Sequence, residues 1–295
     1  MVLHKSGFVN IIGNPNVGKS TLMNALVGEK LSIITAKAQT TRHRIMGIVN
    51  GEDFQIIFSD TPGILQPHYK LQESMMSFVN TAIGDADVIL YVTDVVEKFD
   101  KNQEYIERLK TLDIPIVLVV NKIDLTTPEE LEQLVLNWKN LLPKALIFPA
   151  SAQERFNIDN ILKQIVVLLP ESPAYYDKDV FTDRNLRFFA SEIIREKILL
   201  NYDKEIPYST EVTIEQFKES EEVYHVEAII HVIRDSQKGI IIGRQGASLK
   251  RVGIQARKDM EDFFERKVNL RLFVKVNPNW RENPQQLKRF GYILD

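Results

Sequence analysis

The sequence predicts an α/β domain with a mixed, mostly parallel six-stranded sheet and helices on both faces, followed by a smaller α+β domain. Apolar strand-like runs alternate with amphipathic helical patterns through the first 170 residues. A stretch rich in proline and acidic residues then interrupts this alternation, and the remaining chain has a different order of elements. We therefore predict a first domain over residues 1–172, a linker over 173–183 and a second domain over 184–295.

The alternating pattern gives each element of the first domain approximate bounds. Strands are predicted near residues 7–13, 45–50, 53–59, 87–94, 114–120 and 145–149. Helices are predicted near residues 20–28, 70–84, 101–112, 128–142 and 158–169. Asn50-Gly51 favours a two-residue turn, so the second and third strands are predicted to be antiparallel. Ligands of such sheets bind at the carboxyl ends of the strands.

A complete phosphate-binding motif, Gly-Asn-Pro-Asn-Val-Gly-Lys-Ser, occupies residues 13–20 between the first strand and the first helix. Its glycines let backbone N–H groups turn toward an anion, and the following helix directs its positive end to the same place. Lys19 is predicted to reach the β- and γ-phosphates, and Ser20 to ligate Mg²⁺. The predicted nucleotide contacts of this segment are Gly13, Asn14, Pro15, Asn16, Val17, Gly18, Lys19, Ser20 and Thr21.

Three further short motifs end predicted strands, and together they indicate GTP rather than ATP. An aspartate at the end of the third strand can hold Mg²⁺ through water, and the glycine three residues later can sense the γ-phosphate. The Asp124 carboxylate can accept from both N1–H and the 2-amino group of guanine, which adenine does not offer as a pair. The predicted contacts from these motifs are Asp60, Thr61, Pro62 and Gly63, then Asn121, Lys122 and Asp124, and then Ser151 and Ala152.

The predicted catalytic residues are Lys19, Thr41, Asp60 and Gly63. Thr41 lies in a segment, 31–44, that we expect to be mobile, and it is predicted to give Mg²⁺ its second hydroxyl, with Thr40 as the alternative. The residue after the third-strand motif is Ile64, where Ras-like enzymes carry the glutamine that orients the attacking water. An isoleucine cannot do this, so slow GTP hydrolysis by the protein alone is expected.

Asn16 permits two interpretations. Its position resembles that of an asparagine in related GTPases, and this resemblance implies a K⁺ ion beside the phosphates that can take the place of an arginine finger. The same side chain can instead stabilise the loop. The sequence leaves both interpretations open.

The second domain has the element order of a type-2 KH module, which binds RNA. The helix Arg187–Leu200 and the strands Thr210–Phe217 and Val223–Arg234 precede a G-x-x-G loop, and a long helix to about Glu265 and the strand Leu270–Val276 follow it. Such a loop clamps a nucleic-acid backbone beside an apolar groove. The predicted RNA contacts are Ile241, Ile242, Gly243, Arg244, Gln245, Gly246, Lys250, Arg251 and Arg257.

Charge is unevenly distributed within this domain. Residues 234–289 contain 14 Lys or Arg against 6 Asp or Glu, whereas residues 190–233 contain 4 against 10. The local balances are therefore +8 and −6, although the whole chain carries only −3. A basic half-domain centred on the G-x-x-G loop is the electrostatic pattern of a phosphate-binding surface.

The composition fits a cytoplasmic protein. The 295 residues include no cysteine, so we expect neither disulfides nor thiolate metal sites, as suits a reducing compartment. The first strand begins close to the first residue, so no signal peptide is expected. No apolar stretch approaches the roughly 18 residues that a membrane-spanning helix needs.

Six segments together resemble the Era family of bacterial GTPases, which join a TrmE-Era-type G domain to a type-2 KH domain. They are residues 13–21, 39–44, 60–63, 121–124, 191–197 and 253–260. The resemblance covers essentially the whole chain, and the last two segments are specific to this family. It implies binding near the 3′ end of 16S rRNA, a role in small (30S) subunit biogenesis, and a GTP state that favours RNA binding. It also implies peripheral association with the inner membrane, with no DNA partner and a monomeric chain expected.

Two alternatives remain open at this level. One is a related GTPase of ribosome assembly or tRNA modification, but the chain lacks a second phosphate loop and a C-terminal cysteine. The other is an RNA-binding scaffold that uses GTP mainly as a structural ligand. The intact motif residues argue for turnover, whereas the missing glutamine keeps the scaffold interpretation open.

Overall fold

A computed structural model of the chain describes residues 4–98 and 102–293. The described residues form two compact units. Residues 68–74 and 184–293 belong to the second unit, and the others belong to the first.

The first unit is built on one mixed sheet. Its described strands are β1 Lys5–Gly13, β2 Ile45–Asn50, β3 Phe54–Asp60, β4 Val88–Asp94, β5 Ile116–Asn121 and β6 Leu146–Pro149. They lie in the order β2-β3-β1-β4-β5-β6. Only the pair of β2 and β3 is antiparallel among these strands. The predicted six-stranded, mostly parallel sheet is thereby confirmed, and the motif-bearing ends of β1, β3 and β5 meet at one edge.

Helices precede or follow these strands along the chain. They are α1 Lys19–Val27, α2 Lys70–Gly84, α3 Gln103–Lys110, α4 Pro128–Leu141 and α5 Ile158–Leu168. The predicted start of the third helix, residue 101, lies outside the described residues. α4 has a complete capping box, because Thr127 accepts from the Glu130 N–H while the Glu130 side chain accepts from the Thr127 N–H. Pro128 at the first helical position fixes the same start.

The turn between β2 and β3 differs from the prediction. Asn50 pairs with Gln55 in the ladder, and the Gly51 N–H donates to the Phe54 carbonyl at 2.9 Å. The two residues at the tip are therefore Glu52 and Asp53, and Asn50-Gly51 lies before the tip. The strands are nevertheless antiparallel as predicted.

Residues 173–183 run along β2 rather than standing free of the sheet. The Ile48 N–H donates to the Phe181 carbonyl at 2.9 Å, and Thr182 Oγ1 donates to the Met46 carbonyl at 2.7 Å. Further hydrogen bonds join Gln55 to Tyr175 and Tyr176, and Lys178 to Gly51 and Glu52. The segment predicted as a linker thus covers the open edge of the sheet, which is otherwise a row of unpaired backbone groups.

The second unit packs helices against a three-stranded sheet. Its described elements are α6 Leu186–Asn201, β7 Glu211–Glu219, β8 Val223–Val232, α7 Asp235–Ile242, α8 Ala247–Phe264, β9 Lys267–Val276 and α9 Pro284–Arg289. The strand order is β7-β8-β9, with β7 antiparallel and β9 parallel to β8. Alternate residues of β8, such as Val226, Ala228 and Ile230, are completely buried against α6 and α8. No helix among the described residues is both long enough and apolar enough to cross a bilayer.

The short helix α7 was not predicted. β8 ends at Val232 instead of Arg234, and the isoleucines before the G-x-x-G loop are helical rather than extended. Gln237 fixes the helix start, since its side-chain oxygen accepts from the N–H groups of Ile233 and Arg234. The glycine-bounded loop therefore connects two helices.

Candidate functional site

Two glycines shape the phosphate loop between β1 and α1. Gly13 has φ +151°, and a Cβ there would lie 2.1 Å from the Val92 carbonyl oxygen. Gly18 has φ +93°, and a Cβ there would lie 2.2 Å from Asn121 Nδ2. Other residues would be both strained and overlapping at these positions. The loop thus turns tightly and packs directly against the neighbouring strand ends.

Lys19 is buried within this loop. Its Nζ donates to the carbonyls of Asn14 at 2.8 Å and Gly13 at 3.1 Å. Burial lowers the pKa of Lys19 to about 8, against the opposing effect of the Asp60 and Glu97 carboxylates. The ammonium group is therefore held at the loop by two carbonyl groups, which phosphate can replace as its partners.

Three oxygen-bearing side chains from three separate segments meet beside Lys19. Ser20 Oγ donates to Asp60 Oδ2 at 2.7 Å and lies 2.8 Å from Thr41 Oγ1. Thr41 Oγ1 also donates to Asp60 Oδ2, at 3.3 Å. Asp60 is completely buried, and its Oδ1 has no hydrogen-bond partner. Burial raises the pKa of Asp60, while Lys19 and the neighbouring hydroxyls oppose that shift.

This cluster fits a Mg²⁺ site. Mg²⁺ prefers oxygen ligands, keeps several waters, and uses few protein groups beside substrate phosphates. Two hydroxyls and a buried carboxylate with an unpaired oxygen supply that donor set. In the described ranges, no group of three or more His, Cys, Asp or Glu side chains could form another metal site.

The structure separates Thr41 from Thr40. Thr40 Oγ1 donates to the Lys37 carbonyl at 2.6 Å and lies 2.7 Å from Thr35 Oγ1. Thr41, and not Thr40, therefore lies at Asp60. The geometry favours Thr41 as the second hydroxyl ligand.

The segment after Asp60 touches the phosphate loop. A Cβ on Gly63 would lie 2.7 Å from Pro15 Cα, so only glycine fits this approach. Ile64 donates its N–H to the Gly13 carbonyl at 3.0 Å, and its side chain is 2% exposed. Ile64 is thus a core residue, with no polar group to orient water.

The motif after β5 holds the loops together. Asn121 Nδ2 donates to the Val17 carbonyl at 2.9 Å, and its Oδ1 accepts from the Ala152 N–H at 3.0 Å. Lys122 Nζ donates to the Asn16 carbonyl at 2.6 Å and to Asp94 Oδ2 at 2.5 Å. Asn121 therefore joins the phosphate loop to the 151–152 motif, and Lys122 joins it to the end of β4.

A cavity of about 420 Å³ opens over the phosphate loop. Predicted contact residues line much of it: Pro15, Asn16, Gly18, Lys19, Ser20, Thr21, Thr41, Gly63 and Lys122. The lining does not include Asp124, which is exposed, or Ser151 and Ala152. Sequence reasoning missed Ile33, Ile34, Thr35, Ala36, Gln39 and Gln153. The first five lie in the segment predicted to be mobile, but no residue pattern marked them individually.

Several predicted contacts hold the site without lining the cavity. Thr61 Oγ1 donates to the Ile11 carbonyl at 2.7 Å, and Val17 is buried. Gly13 and Asn14 accept from Lys19, and Pro62 is buried directly after Thr61. Their side chains or carbonyls pack beneath or hydrogen-bond to the residues that line the cavity.

The G-x-x-G loop of the second unit has the backbone that its glycines predict. Gly243 has φ +72°, and a Cβ there would lie 2.3 Å from Ser248 Oγ. Gly246 has φ +78°, and Gln245 is also left-handed, at φ 52°. Arg244 and Gln245 are exposed at the tip, and Lys250, Arg251 and Arg257 are exposed on α8. The loop thus presents a basic, closely approachable surface.

The prediction that Ile241 contacts RNA is wrong for this structure. Its side chain is 0% exposed and packs in the core of the second unit. Ile241 lies on the side of α7 that packs on this core, among residues such as Val226, Ala228 and Ile230 of β8. Ile242 is half-buried, whereas Ile240 and Ile254 are exposed, so the apolar surface beside the loop belongs to those three.

The two motifs specific to the resemblance have a structural role. Arg195 and Glu192 form a buried ion pair at 2.5 Å on α6. Lys197 pairs with Glu196 at 2.8 Å and with Asp259 of α8. Buried charges are stable only when paired in this way. The first pair lies within α6, and the Lys197–Asp259 pair joins α6 to α8, which carries the exposed basic side chains.

Comparisons with known proteins identify a known domain family in each of the two units. The family described as "50S ribosome-binding GTPase" matches residues 8–122, and the KH domain family matches residues 205–281. A crystal structure of Era in complex with MgGDPNP and nucleotides 1506–1542 of 16S ribosomal RNA is 40% identical. It has a TM-score of 0.94, and the match covers 99% of this chain and 100% of that one.

A second structure gives the same result. A single-residue variant of Aquifex aeolicus Era bound to GDP·AlF4⁻ is 39% identical with a TM-score of 0.94, covering 98% of this chain and 100% of that one. Identity at this level over the full length extends beyond the phosphate-binding motif to both domains. The chain belongs to the Era family of GTPases.

Proposed function

We propose that this chain hydrolyses GTP, binds 16S rRNA near its 3′ end through the KH domain, and acts in small (30S) ribosomal subunit biogenesis. One observation carries the proposal: the chain is 40% identical, over 99% of its length, to an Era bound to MgGDPNP and nucleotides 1506–1542 of 16S rRNA. The Ser20–Thr41–Asp60 cluster and the exposed G-x-x-G loop supply a site for each ligand.

The residues of the first unit have separate roles in this reaction. Lys19 compensates phosphate charge, and the Gly63 N–H approaches the γ-phosphate from the segment after β3. Ser20 and Thr41 hold Mg²⁺ directly and Asp60 holds it through water. A Mg²⁺ ion held by these residues would neutralise charge on the β- and γ-phosphates. Guanine is recognised by Asp124, and the Ala152 N–H, which donates to Asn121 Oδ1 in this structure, turns to the guanine oxygen when the nucleotide binds.

Turnover by the protein alone is proposed to be slow. Ile64 is buried and offers no polar group to the attacking water. Asn16 is exposed and lines the cavity beside Lys19, which supports a K⁺ ion bound by its side-chain oxygen. Such a cation would supply the positive charge that an arginine finger supplies elsewhere.

The nucleotide state is proposed to control RNA binding. The segment 31–44 provides both Thr41 and much of the cavity lining, so a γ-phosphate can reorder it. Thermodynamic linkage then requires a reciprocal effect. RNA must raise the affinity for GTP relative to GDP by the same factor by which GTP, compared with GDP, raises the affinity for RNA.

We further propose that the protein is a monomer in the cytoplasm that associates peripherally with the inner membrane. The absence of cysteine and the rRNA partner support the compartment. The membrane association rests on family resemblance.

Multiple-turnover phosphate release tests the proposal, with and without a 16S rRNA 3′-end fragment, in K⁺ and in Na⁺. We expect slow release alone, faster release with K⁺, and an RNA affinity that differs between GDP and a non-hydrolysable GTP analogue. Absence of release under every condition would favour the scaffold alternative, in which GTP is a structural ligand. Equal rates of phosphate release in both salts would contradict a role of K⁺ in hydrolysis.

A further inference from the structure

The loop after β4 carries a glutamate that contacts the phosphate loop. Glu97 Oε2 accepts from Asn14 Nδ2 at 2.6 Å, and Oε1 accepts from Thr93 Oγ1 at 2.6 Å. Asn14 is the second residue of the phosphate-binding motif and is 1% exposed. Both oxygens of this carboxylate are therefore used, one at the end of β4 and one at the start of the phosphate loop.

The backbone of the turn directs Glu97 to this place. Asp94 Oδ1 accepts from the N–H groups of Val96 at 3.0 Å and Glu97 at 2.8 Å, a local bond that aspartate commonly makes in turns. Asp94 Oδ2 contacts Lys122 Nζ. Asp94, the last residue of β4, thus contacts the motif of residues 121–124, and Glu97, in the loop that follows, contacts the phosphate loop.

Three polar groups of Asn14 have hydrogen-bond partners within the protein. Its carbonyl accepts from Lys19, its Nδ2 donates to Glu97, and its Oδ1 accepts from the Asn102 side chain. The backbone groups that follow Asn14 are those that would face a phosphate. Donors that are already oriented bind an anion without a reorganisation cost.

We infer that Glu97 is a positioning residue of the nucleotide site, which fixes the phosphate-loop backbone by holding the Asn14 side chain. The inference rests on the proposed nucleotide site, and Glu97 itself does not touch the nucleotide.

Glu97 has two further, electrostatic effects on nucleotide affinity, of which one raises the affinity and the other lowers it. Glu97 together with Asp60 favours the charged form of Lys19, which phosphate requires. The negative charge of Glu97 would also repel the phosphates. Positioning and repulsion therefore predict opposite changes in nucleotide affinity when Glu97 is removed.

A double-mutant cycle in the full chain separates these effects. GDP affinity is measured with a fluorescent GDP analogue and Mg²⁺ for the parent, Glu97→Ala, Asn14→Ala and the double variant. Each single change should weaken binding by about tenfold, as expected for a lost hydrogen bond to a charged group. The double variant should be no weaker than the weaker single variant, because both changes remove one contact. Turnover at saturating GTP should change less than the affinity, since positioning acts before chemistry.

Glu104→Ala is the matched control, because it removes an exposed carboxylate on α3 and should leave the affinity unchanged. Glu97→Gln keeps the shape of the side chain and is therefore the variant least exposed to a folding defect. Thermal unfolding of each variant checks directly that the fold is intact. Unchanged or tighter GDP binding in Glu97→Ala, or additive losses in the double variant, would overturn the inference. A parent that binds GDP but releases no phosphate would refute the proposed hydrolysis while leaving this cycle interpretable.

Discussion

Ser20 Oγ donates to Asp60 Oδ2 across 2.7 Å, joining the first turn of α1 to the last residue of β3. The second oxygen of the same carboxylate is buried without a partner. An unpaired buried acceptor is costly unless a ligand or water satisfies it. The pair therefore lies at the centre of the proposed Mg²⁺ site.

Ser20→Ala should lower GTP hydrolysis by at least about a hundredfold, because it removes a direct Mg²⁺ ligand and with it the charge stabilisation of the transition state. Steady-state phosphate release measures this loss. Ser20→Thr keeps the hydroxyl that the motif requires and should retain activity. Equal activity of the alanine and threonine variants would remove Ser20 from the metal site.

Nucleotide affinity should fall as the pH rises above about 8, the pKa to which burial lowers Lys19. Below that pH the side chain is charged and binds phosphate; above it the free protein must take up a proton on binding, which costs up to about tenfold per pH unit. GDP titrations between about pH 7 and pH 9 measure the slope. Lys19→Arg, whose charge does not titrate in this range, should give a flat profile. A flat profile for the parent would contradict the assignment of Lys19.

Asp124→Asn should change base preference from guanine to xanthine, because the carboxylate's two acceptors match the two guanine donors. Polar groups that the bound base covers without pairing cost several kcal/mol of discrimination, on the order of 10⁴-fold. Competition between the two nucleoside triphosphates measures it. Unchanged guanine preference would place base recognition elsewhere.

Replacing Arg244 and Gln245 by Asp should weaken RNA binding sharply and leave GDP affinity unchanged. The new carboxylates would lie at the exposed tip of the G-x-x-G loop, where the RNA backbone makes its closest approach, and the salt dependence of binding should decrease. Filter binding over a range of salt concentrations measures both. The same charge change at Lys288 and Gln285 on α9 is the control. An equal effect of both pairs would indicate a general charge effect rather than contact at the loop.

The sequence was most informative where chemistry fixes the residue type. Gly13 and Gly18 are dictated by backbone geometry and close approach, so the phosphate loop could be predicted to the residue. The sheet followed from apolar runs that are typical of strands buried on both faces. Thr40 and Thr41 could not be separated, because adjacent hydroxyls differ only in the direction that the folded segment gives them.

Other features depended on tertiary contacts without a local signature. α7 was missed because three consecutive isoleucines are equally typical of a strand, and only the Gln237 cap at its start decides for a helix. Ile241 was assigned to an RNA-contacting surface, although its side chain lies in the core. Glu97 belongs to no motif, and its importance depends on a turn that brings it to Asn14.

Because residues 173–183 are hydrogen-bonded along β2, this segment should accept insertions less readily than a free linker does. A flexible surface linker accepts extra residues at little cost, since the entropy of a loop grows slowly with its length. Here the Phe181 carbonyl and the Thr182 hydroxyl are held in register with Ile48 and Met46. An insertion among them would displace this ladder instead of lengthening a tether. The sequence of this segment is therefore constrained as a sheet edge is, and engineered spacers belong outside it.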